Sequence, residues 1–159
     1  MQEFLFAGLL GCMIIMICCL IVYEGLRNIW NILPHLTLPP HVRVLAVVGS
    51  IFIIHIVNIW LFGLVYFLLH YFDLGTLTSP TMEHGAYTLN LVNCLYYSAV
   101  IYSTLGLGDI SPEGALRMIT GVEALSGFIL IGWTVSFTFL AMQKFWELPH
   151  RKQHQDPNK

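Results

Sequence analysis

The sequence predicts an all-α membrane protein with three transmembrane helices plus a shorter helix that re-enters the membrane. Of the 159 residues, 57% are hydrophobic and 10% are charged, and the mean hydropathy is +0.73. Soluble domains carry roughly 25% charged residues, so this chain lacks the charge that a water-facing surface needs. The hydrophobic residues also form three long runs, each long enough to cross a hydrocarbon core of about 30 Å.

The composition also excludes several functional classes. Seven Lys and Arg residues against nine Asp and Glu residues give a net charge of −2, so the chain has no broad basic field that would hold nucleic acid. No Ser/His/Asp set and no pair of carboxylates indicates an enzyme, and no cofactor or small-molecule substrate is expected. The cysteines form no CxxC pair and are expected to be buried apolar side chains: Cys12, Cys18, Cys19 and Cys94.

The first apolar run extends from Phe4 to Tyr23, 20 residues without a charge. It predicts an N-terminal transmembrane helix over residues 1–27. The start Met-Gln-Glu lacks the positive region of a signal peptide and no Ala-x-Ala site follows the run, so the helix is expected to be retained. Residues 28–43 contain Pro34, Pro39 and Pro40 and are interpreted as a linker outside the hydrocarbon, because proline removes backbone donors and ends helices.

The second run is free of Lys, Arg, Asp and Glu over the 29 residues from Val44 to Phe72, which predicts an outer helix over 44–72. A turn-rich loop over 73–88 follows. The next apolar stretch, 89–103, has about 15 residues, which is too short to span and fits a re-entrant helix. The third spanning run predicts a helix over 117–144, and a polar tail covers 145–159.

The distribution of cations predicts the orientation. Residues 73–116 contain no Lys or Arg, whereas Arg27 and Arg43 flank the linker. The tail region holds further cations: Lys144, Arg151, Lys152 and Lys159. By the positive-inside rule the linker and tail are cytoplasmic, and the N-terminus and the 73–116 segment lie outside.

A glycine-alternating segment, residues 104–109, comes directly after the short helix and reads Thr-Leu-Gly-Leu-Gly-Asp. Irregular backbone at membrane depth is tolerated only where protein buries it or where it lines a watery path. Alternating glycines allow successive carbonyls to point one way, and stacked carbonyls replace the hydration shell of a cation. The partial negative charge at the end of the preceding helix also favours a cation.

This segment closely resembles the T-V-G-Y-G-D selectivity filter of potassium channels, with Leu105 for Val and Leu107 for Tyr. The likeness extends backwards, because Tyr96-Tyr97-Ser98 lies where those channels often carry Trp-Trp-Ser on the pore helix. It extends forwards to Pro112, Arg117 and a glycine on the inner helix, Gly127. Over 44–144 the chain resembles the small bacterial two-helix-pore ion channel family, and the N-terminal helix lies outside the likeness.

The resemblance implies a potassium-selective channel, not an enzyme, that assembles as a four-fold homotetramer in the bacterial inner membrane and contacts lipids. It implies K⁺ coordination by the backbone of Thr104, Leu105, Gly106, Leu107 and Gly108, with filter support from Tyr96, Tyr97 and Asp109. It further implies that the inner helix lines a cavity or gate with Gly127, Phe128, Ile131, Val135, Ser136 and Phe139. No voltage sensor is expected, since no helix carries Arg at every third position.

One departure leaves alternatives open. Leu107 replaces the aromatic residue of the family and cannot offer a hydroxyl tether, although the ion contacts main-chain oxygens. We therefore expect K⁺ to be preferred over Na⁺, with a non-selective cation channel and a non-conducting accessory membrane subunit as alternatives.

Two polar residues within spans each have two interpretations. Glu123 lies about 9 Å along its helix from Arg117 at about 1.5 Å per residue. It is interpreted either as a filter support acting through Tyr96, Tyr102 or Ser103, or as a cap on a helix contact, because a carboxylate at that depth needs a partner. His55 is interpreted as a neutral residue bonded to a neighbouring helix, with pH sensing as the alternative.

Overall fold

The computed structural model describes residues 2–35, 39–79 and 90–146. It contains three long helices that are apolar enough to cross a membrane and one shorter apolar helix, which confirms the predicted all-α membrane fold. The elements in chain order are α1 Gln2–Ile32, a 3-10 helix Leu33–His35, α2 Pro40–Tyr71, β1 Leu77–Thr78, α3 Leu91–Tyr102, β2 Ser111–Pro112 and α4 Leu116–Trp146.

The helix ends differ from the predicted ones by a few residues. α1 continues to Ile32, five residues beyond the predicted end at 27, because no proline interrupts the chain before Pro34. α2 begins at Pro40 rather than at residue 44. Proline suits a first helical position since the N–H it lacks would have no partner there. The predicted linker over 28–43 is therefore partly helical at both of its ends.

α1 packs against both α2 and α4. Gly11 faces Val122 of α4, and Gly25 faces Ile54 of α2, at positions where a methyl group would be crowded. Near the other end of α1, Trp30 meets Phe137 edge to face with ring centroids 5.9 Å apart. Because early residues of α1 meet early residues of α4 and late ones meet late ones, α1 and α4 run parallel, and α1 belongs to the packed bundle.

The predicted burial of the cysteines is only partly correct. Cys18 and Cys94 are buried in the core. Cys12 is exposed on the outer surface of α1, where an apolar side chain meets no unfavourable environment in lipid.

A short ladder ties the chain after α2 to the chain before α4. β1 and β2 pair antiparallel, with Leu77 opposite Pro112 and Thr78 opposite Ser111. The Glu113 N–H donates to the carbonyl of Thr76 at 2.8 Å. The ladder therefore ties the chain directly after the glycine segment to the chain that follows α2. Most of the predicted 73–88 loop, from residue 80 on, and the tail from 147 lie outside the described residues.

Candidate functional site

The glycine segment follows α3 and has an alternating backbone. Thr104, Gly106 and Gly108 adopt φ of 60°, 58° and 77°, whereas Leu105 and Leu107 between them do not adopt positive φ. Glycine enters this region without a steric penalty, which explains its spacing. Thr104 is β-branched and therefore strained there, so the surrounding structure must hold it. Where left- and right-handed conformations alternate, successive N–H groups converge on one side and the carbonyls face the other.

The end of α3 holds the start of this segment. The N–H of Thr104 donates to the carbonyl of Ile101 at 2.9 Å, and the N–H of Leu105 donates to that of Val100 at 3.0 Å. At the opposite end of α3, the Asn90 side chain accepts from the N–H of Asn93 at 2.9 Å and caps the helix. The segment is thus a direct continuation of a capped helix, and the negative end of the helix dipole lies beside it.

The far end of the segment is held through Asp109. The Tyr96 hydroxyl donates to Asp109 Oδ2 at 2.8 Å, so the structure brings together two residues that were predicted to support a filter. This hydrogen bond raises the pKa of the Tyr96 hydroxyl above its ordinary value, so the donor stays protonated to a higher pH. Ser79 donates to the Asp109 carbonyl at 3.0 Å, a contact that sequence reasoning missed.

The backbone between these two anchors is uncovered in a single chain. Residues 103–108 are exposed, and the side chains of Leu105 and Leu107 are 64% and 57% exposed. Gly106 and Gly108, which consist of backbone atoms alone, are among these exposed residues, so part of the backbone of the segment is open in the single chain.

Glu123 is fully buried behind the segment, between three helices. The hydroxyl of Tyr66 from α2 donates to its Oε2, and Ser98 Oγ from α3 lies 2.5 Å from its Oε1. The Glu123 side chain thus bonds α4 to α2 and to α3. The suggested route through Tyr96, Tyr102 or Ser103 is wrong for the direct contacts, because Glu123 faces α3 one turn before its C-terminal end.

Tyr97, which was predicted to support a filter, bonds to α4 and packs on α2. Its hydroxyl lies 3.0 Å from Thr120 Oγ1 of α4, and its ring packs edge to face on Tyr66 with centroids 5.2 Å apart. Tyr97 therefore joins α3 to α4 beside Glu123. Sequence reasoning missed Tyr66, Ser98 and Thr120, although a polar residue inside an apolar run is itself a signal, since it needs a partner there.

His55 is bonded to two neighbouring helices, as the structural interpretation of this residue predicts, and these bonds leave the pH-sensing alternative open. Its Nδ1 lies 3.0 Å from the Tyr102 hydroxyl of α3, and its Nε2 lies 2.9 Å from Thr134 Oγ1 of α4. Asn58 Nδ2 donates to the same Tyr102 hydroxyl at 3.3 Å. These groups lie directly beneath the start of the glycine segment.

The predicted cavity residues of α4 fall into two groups. Gly127 is buried against the carbonyl of Tyr102, where a β-carbon would overlap the oxygen, so its small size permits close packing of α4 on α3. The others are exposed or half-buried on α4: Phe128, Ile131, Val135, Ser136 and Phe139. A cavity of about 570 Å³ between α2 and α4 is lined by Ile131, Val135 and Phe139 of that set, together with His55, Tyr102 and Ser103.

Side chains offer no metal site in the described ranges. Among residues 2–35, 39–79 and 90–146, no three His, Cys, Asp or Glu side chains are grouped so that they could hold a metal ion.

Comparison with known proteins identifies the part of the chain that contains this site. The family model described as "Ion channel" matches residues 44–144, which is 101 of the 159 residues (144 − 44 + 1). The match contains all of α3 and the glycine segment and most of α2 and α4, and α1 precedes it. No curated protein and no solved structure matches the chain.

Proposed function

The chain belongs to the ion channel family, and from this premise we propose that it conducts K⁺ passively through the backbone carbonyls of Thr104 to Gly108. The observation that carries the proposal is the alternation of positive φ at Thr104, Gly106 and Gly108 in the exposed glycine segment, whose residues 104–108 are called the strand below. A backbone of this kind presents a row of carbonyl oxygens, which is the ligand set that replaces the water around a permeating cation.

The electrostatics of the site favour a cation over an anion. α3 ends at Tyr102 and directs the partial negative charge of its C-terminus toward the start of the segment. Asp109 places a carboxylate at the other end. The side chains of Leu105 and Leu107 carry no charge, so the main chain determines what the strand binds.

A single chain is incomplete as a channel. Each unsatisfied backbone polar group that faces lipid costs several kcal/mol, so residues 103–108 require a covered or watery environment at membrane depth. Several copies around an axis along the membrane normal would enclose the strands in a pore, and a carbonyl ring of the potassium-channel type needs four. We therefore propose a homotetramer, with the N-terminus outside and the cation-rich C-terminal end in the cytoplasm.

Selectivity depends on how firmly the strand is held. Leu107 offers no hydroxyl tether, and its side chain is 57% exposed in the single chain, an observation that favours a non-selective cation channel as the second candidate. Against this, hydrogen bonds from Tyr96 and Ser79 to Asp109 fix the outer end of the strand. The inner end is fixed because the first two N–H groups of the strand donate to the carbonyls of Ile101 and Val100. These anchors favour K⁺ over Na⁺.

The proposal is tested by cation flux into liposomes that contain the purified full chain. We expect K⁺ flux that greatly exceeds Na⁺ flux and that barium blocks. Equal fluxes would favour the non-selective channel, and no flux of either ion would overturn conduction and favour an accessory subunit.

A pair of glycine variants ties the flux to the strand. Gly106→Ala places a side chain in open space but at φ of 58°, so it perturbs only the backbone conformation and is expected to abolish selective flux. Gly49→Ala on α2 also meets nothing within 4 Å and is expected to leave the flux unchanged. Selective flux through the Gly106→Ala channel would refute the role of the alternating backbone.

A further inference from the structure

A chain of hydrogen bonds lies beneath the glycine segment and joins α2, α3 and α4. At its centre the His55 ring bonds to Tyr102 at 3.0 Å through Nδ1 and to Thr134 at 2.9 Å through Nε2. At one end Asn58 Nδ2 donates to the Tyr102 hydroxyl at 3.3 Å. At the other end Thr134 Oγ1 lies 2.9 Å from the carbonyl of Ile131. Each contact is within the range of a hydrogen bond.

The end groups determine the direction of the chain. A carbonyl only accepts, so the single Thr134 hydroxyl hydrogen goes to Ile131, and Thr134 Oγ1 accepts from His55 Nε2–H. An amide nitrogen only donates, so the Tyr102 oxygen accepts from Asn58, and its own hydrogen goes to His55 Nδ1. Every hydrogen then has one acceptor if His55 is neutral and carries its proton on Nε2.

We propose that neutral His55, in the Nε2–H tautomer, is a positioning residue for the ion-coordinating strand, and that a proton on its Nδ1 disrupts this positioning. The inference rests on the proposed function. Tyr102 is the last residue of α3 and precedes the strained Thr104 by two positions. The hydrogen-bond chain therefore ties the start of the strand to α2 and α4.

A second proton on His55 conflicts with this arrangement. The added Nδ1–H points at the Tyr102 oxygen, which already accepts from Asn58. The Tyr102 hydroxyl hydrogen, which was donated to Nδ1, then has no acceptor. Turning the Asn58 amide over gives Tyr102 an acceptor again, because the amide oxygen then accepts its hydrogen, but the Asn58 N–H groups lose their bond to that hydroxyl. That oxygen, Asn58 Oδ1, is buried and has no hydrogen-bond partner among the residues that the structure describes. The same groups thus support two arrangements that differ by one proton.

His55 and Tyr102 line the cavity between α2 and α4, so a proton reaches the ring through this cavity when it holds water. Among the described residues, the other titratable groups that interact with Tyr102, the bonded neighbour of His55, lie on α1 and α4: Cys18, Cys19 and Glu123. Because histidine titrates near neutrality, we expect the strand to be less well held in mild acid.

The tautomer is tested without any measurement of flux. The full chain is labelled with ¹⁵N-histidine and reconstituted in liposomes, and the His55 resonances are assigned by difference from His55→Gln. The expected result at neutral pH is an Nε2–H imidazole whose Nδ1 accepts a hydrogen bond. A Tyr102→Phe variant is expected to lose that Nδ1 bond and keep the ring neutral. An Nδ1–H tautomer, or a cationic ring at neutral pH, would overturn the proposal even if the channel conducts.

The positioning role is tested by the pH profile of the K⁺-to-Na⁺ flux ratio. In the unaltered chain the ratio is expected to fall about fivefold between about pH 8 and about pH 5, the effect of one lost hydrogen bond. His55→Gln and Tyr102→Phe are expected to show no such pH dependence. Thr138→Val is the matched control, because Thr138 lines the same cavity but bonds only within α4, and it should keep the full profile.

The outcomes separate the two proposals. A Tyr102→Phe channel that keeps the unaltered pH profile overturns the positioning role of His55 and leaves conduction intact. Absence of flux in the unaltered chain overturns the proposed function, and the tautomer measurement still decides whether the hydrogen-bond chain is correct.

Discussion

Truncation of Glu123 is expected to destabilise the bundle far more than its replacement by glutamine. The side chain is fully buried, and each carboxylate oxygen accepts from a different helix, through Tyr66 of α2 and Ser98 of α3. Glu123→Ala removes both acceptors and leaves a cavity. Ser98 keeps the carbonyl of Ile59 at 2.9 Å, but Tyr66 keeps only Thr120 Oγ1 at 3.4 Å. We expect a loss of about 3–5 kcal/mol in the free energy of unfolding.

Glutamine at this position can keep a hydrogen-bond partner for both Tyr66 and Ser98. Its amide oxygen accepts from Tyr66, its amide nitrogen donates to Ser98, and the Ser98 hydrogen passes to the carbonyl of Ile59. The expected cost of Glu123→Gln is therefore about 1 kcal/mol. The ordering of the two variants, rather than either value alone, tests the hydrogen-bond pattern.

The assay is reversible unfolding in mixed micelles, followed by far-ultraviolet circular dichroism. Ser126→Ala is the matched control: Ser126 is also buried on α4, but its hydroxyl bonds to the Glu123 carbonyl of its own helix at 2.9 Å and joins no second helix. It should cost about 1 kcal/mol or less. If Glu123→Ala costs no more than Ser126→Ala, the carboxylate does not hold the helices together. If Glu123→Gln is as costly as Glu123→Ala, the negative charge itself is required.

Three further predictions concern contacts at other points of the bundle. Gly127→Ala places a methyl group against the Tyr102 carbonyl at the end of α3 and should strongly lower the midpoint of thermal unfolding. Gly132→Ala is the control, because its methyl group meets nothing within 4 Å and should leave the midpoint unchanged. Equal midpoints for the two variants would refute the close packing of α4 on α3. Tyr96→Phe removes the exposed bond to Asp109 and should lower the K⁺-to-Na⁺ flux ratio in liposomes without lowering the unfolding midpoint; an unchanged ratio would show that this bond does not hold the strand. Trp30→Ala removes the ring whose centroid lies 3.8 Å from the Lys144 ammonium at the end of α4. It should lower the free energy of unfolding in micelles by about 2 kcal/mol. No loss of stability would show that these contacts do not hold α1 against α4.

The spans could be predicted because their signal is local. A run such as Val44–Phe72 has enough apolar residues to cross the bilayer whatever it packs against. The helix ends were less accurate, because the short stretches around the linker contain polar residues and prolines that are compatible with helix. Pro40 shows this directly, since a residue that ends helices in their interior here begins one.

The position of the glycine segment could also be predicted. A backbone that needs positive φ at every second residue favours glycine at every second position, and this spacing is visible in the sequence. Gly106 and Gly108 adopt positive φ, as the spacing of the two glycines suggests. Thr104 shares that conformation without being glycine, and no local preference predicts it. The N–H groups of Thr104 and Leu105 bond to carbonyls at the end of α3, so the helix end rather than the residue type holds this conformation.

The side-chain partners of Glu123 could not be predicted, because the sequence does not show how each helix is rotated about its own axis. A helix that is apolar on all sides gives no indication of which face meets which neighbour, so the depth of Glu123 could be estimated but its direction could not. The wrong partners, Tyr96, Tyr102 and Ser103, lie on α3 or directly after it, and the observed α3 partner, Ser98, lies earlier on the same helix. Yet polar side chains in an apolar span must find one another, because lipid offers no alternative partner. The polar residues of α2, α3 and α4 accordingly form two groups, one around Glu123 and one around His55, and both place their α3 members within one or two turns of Thr104.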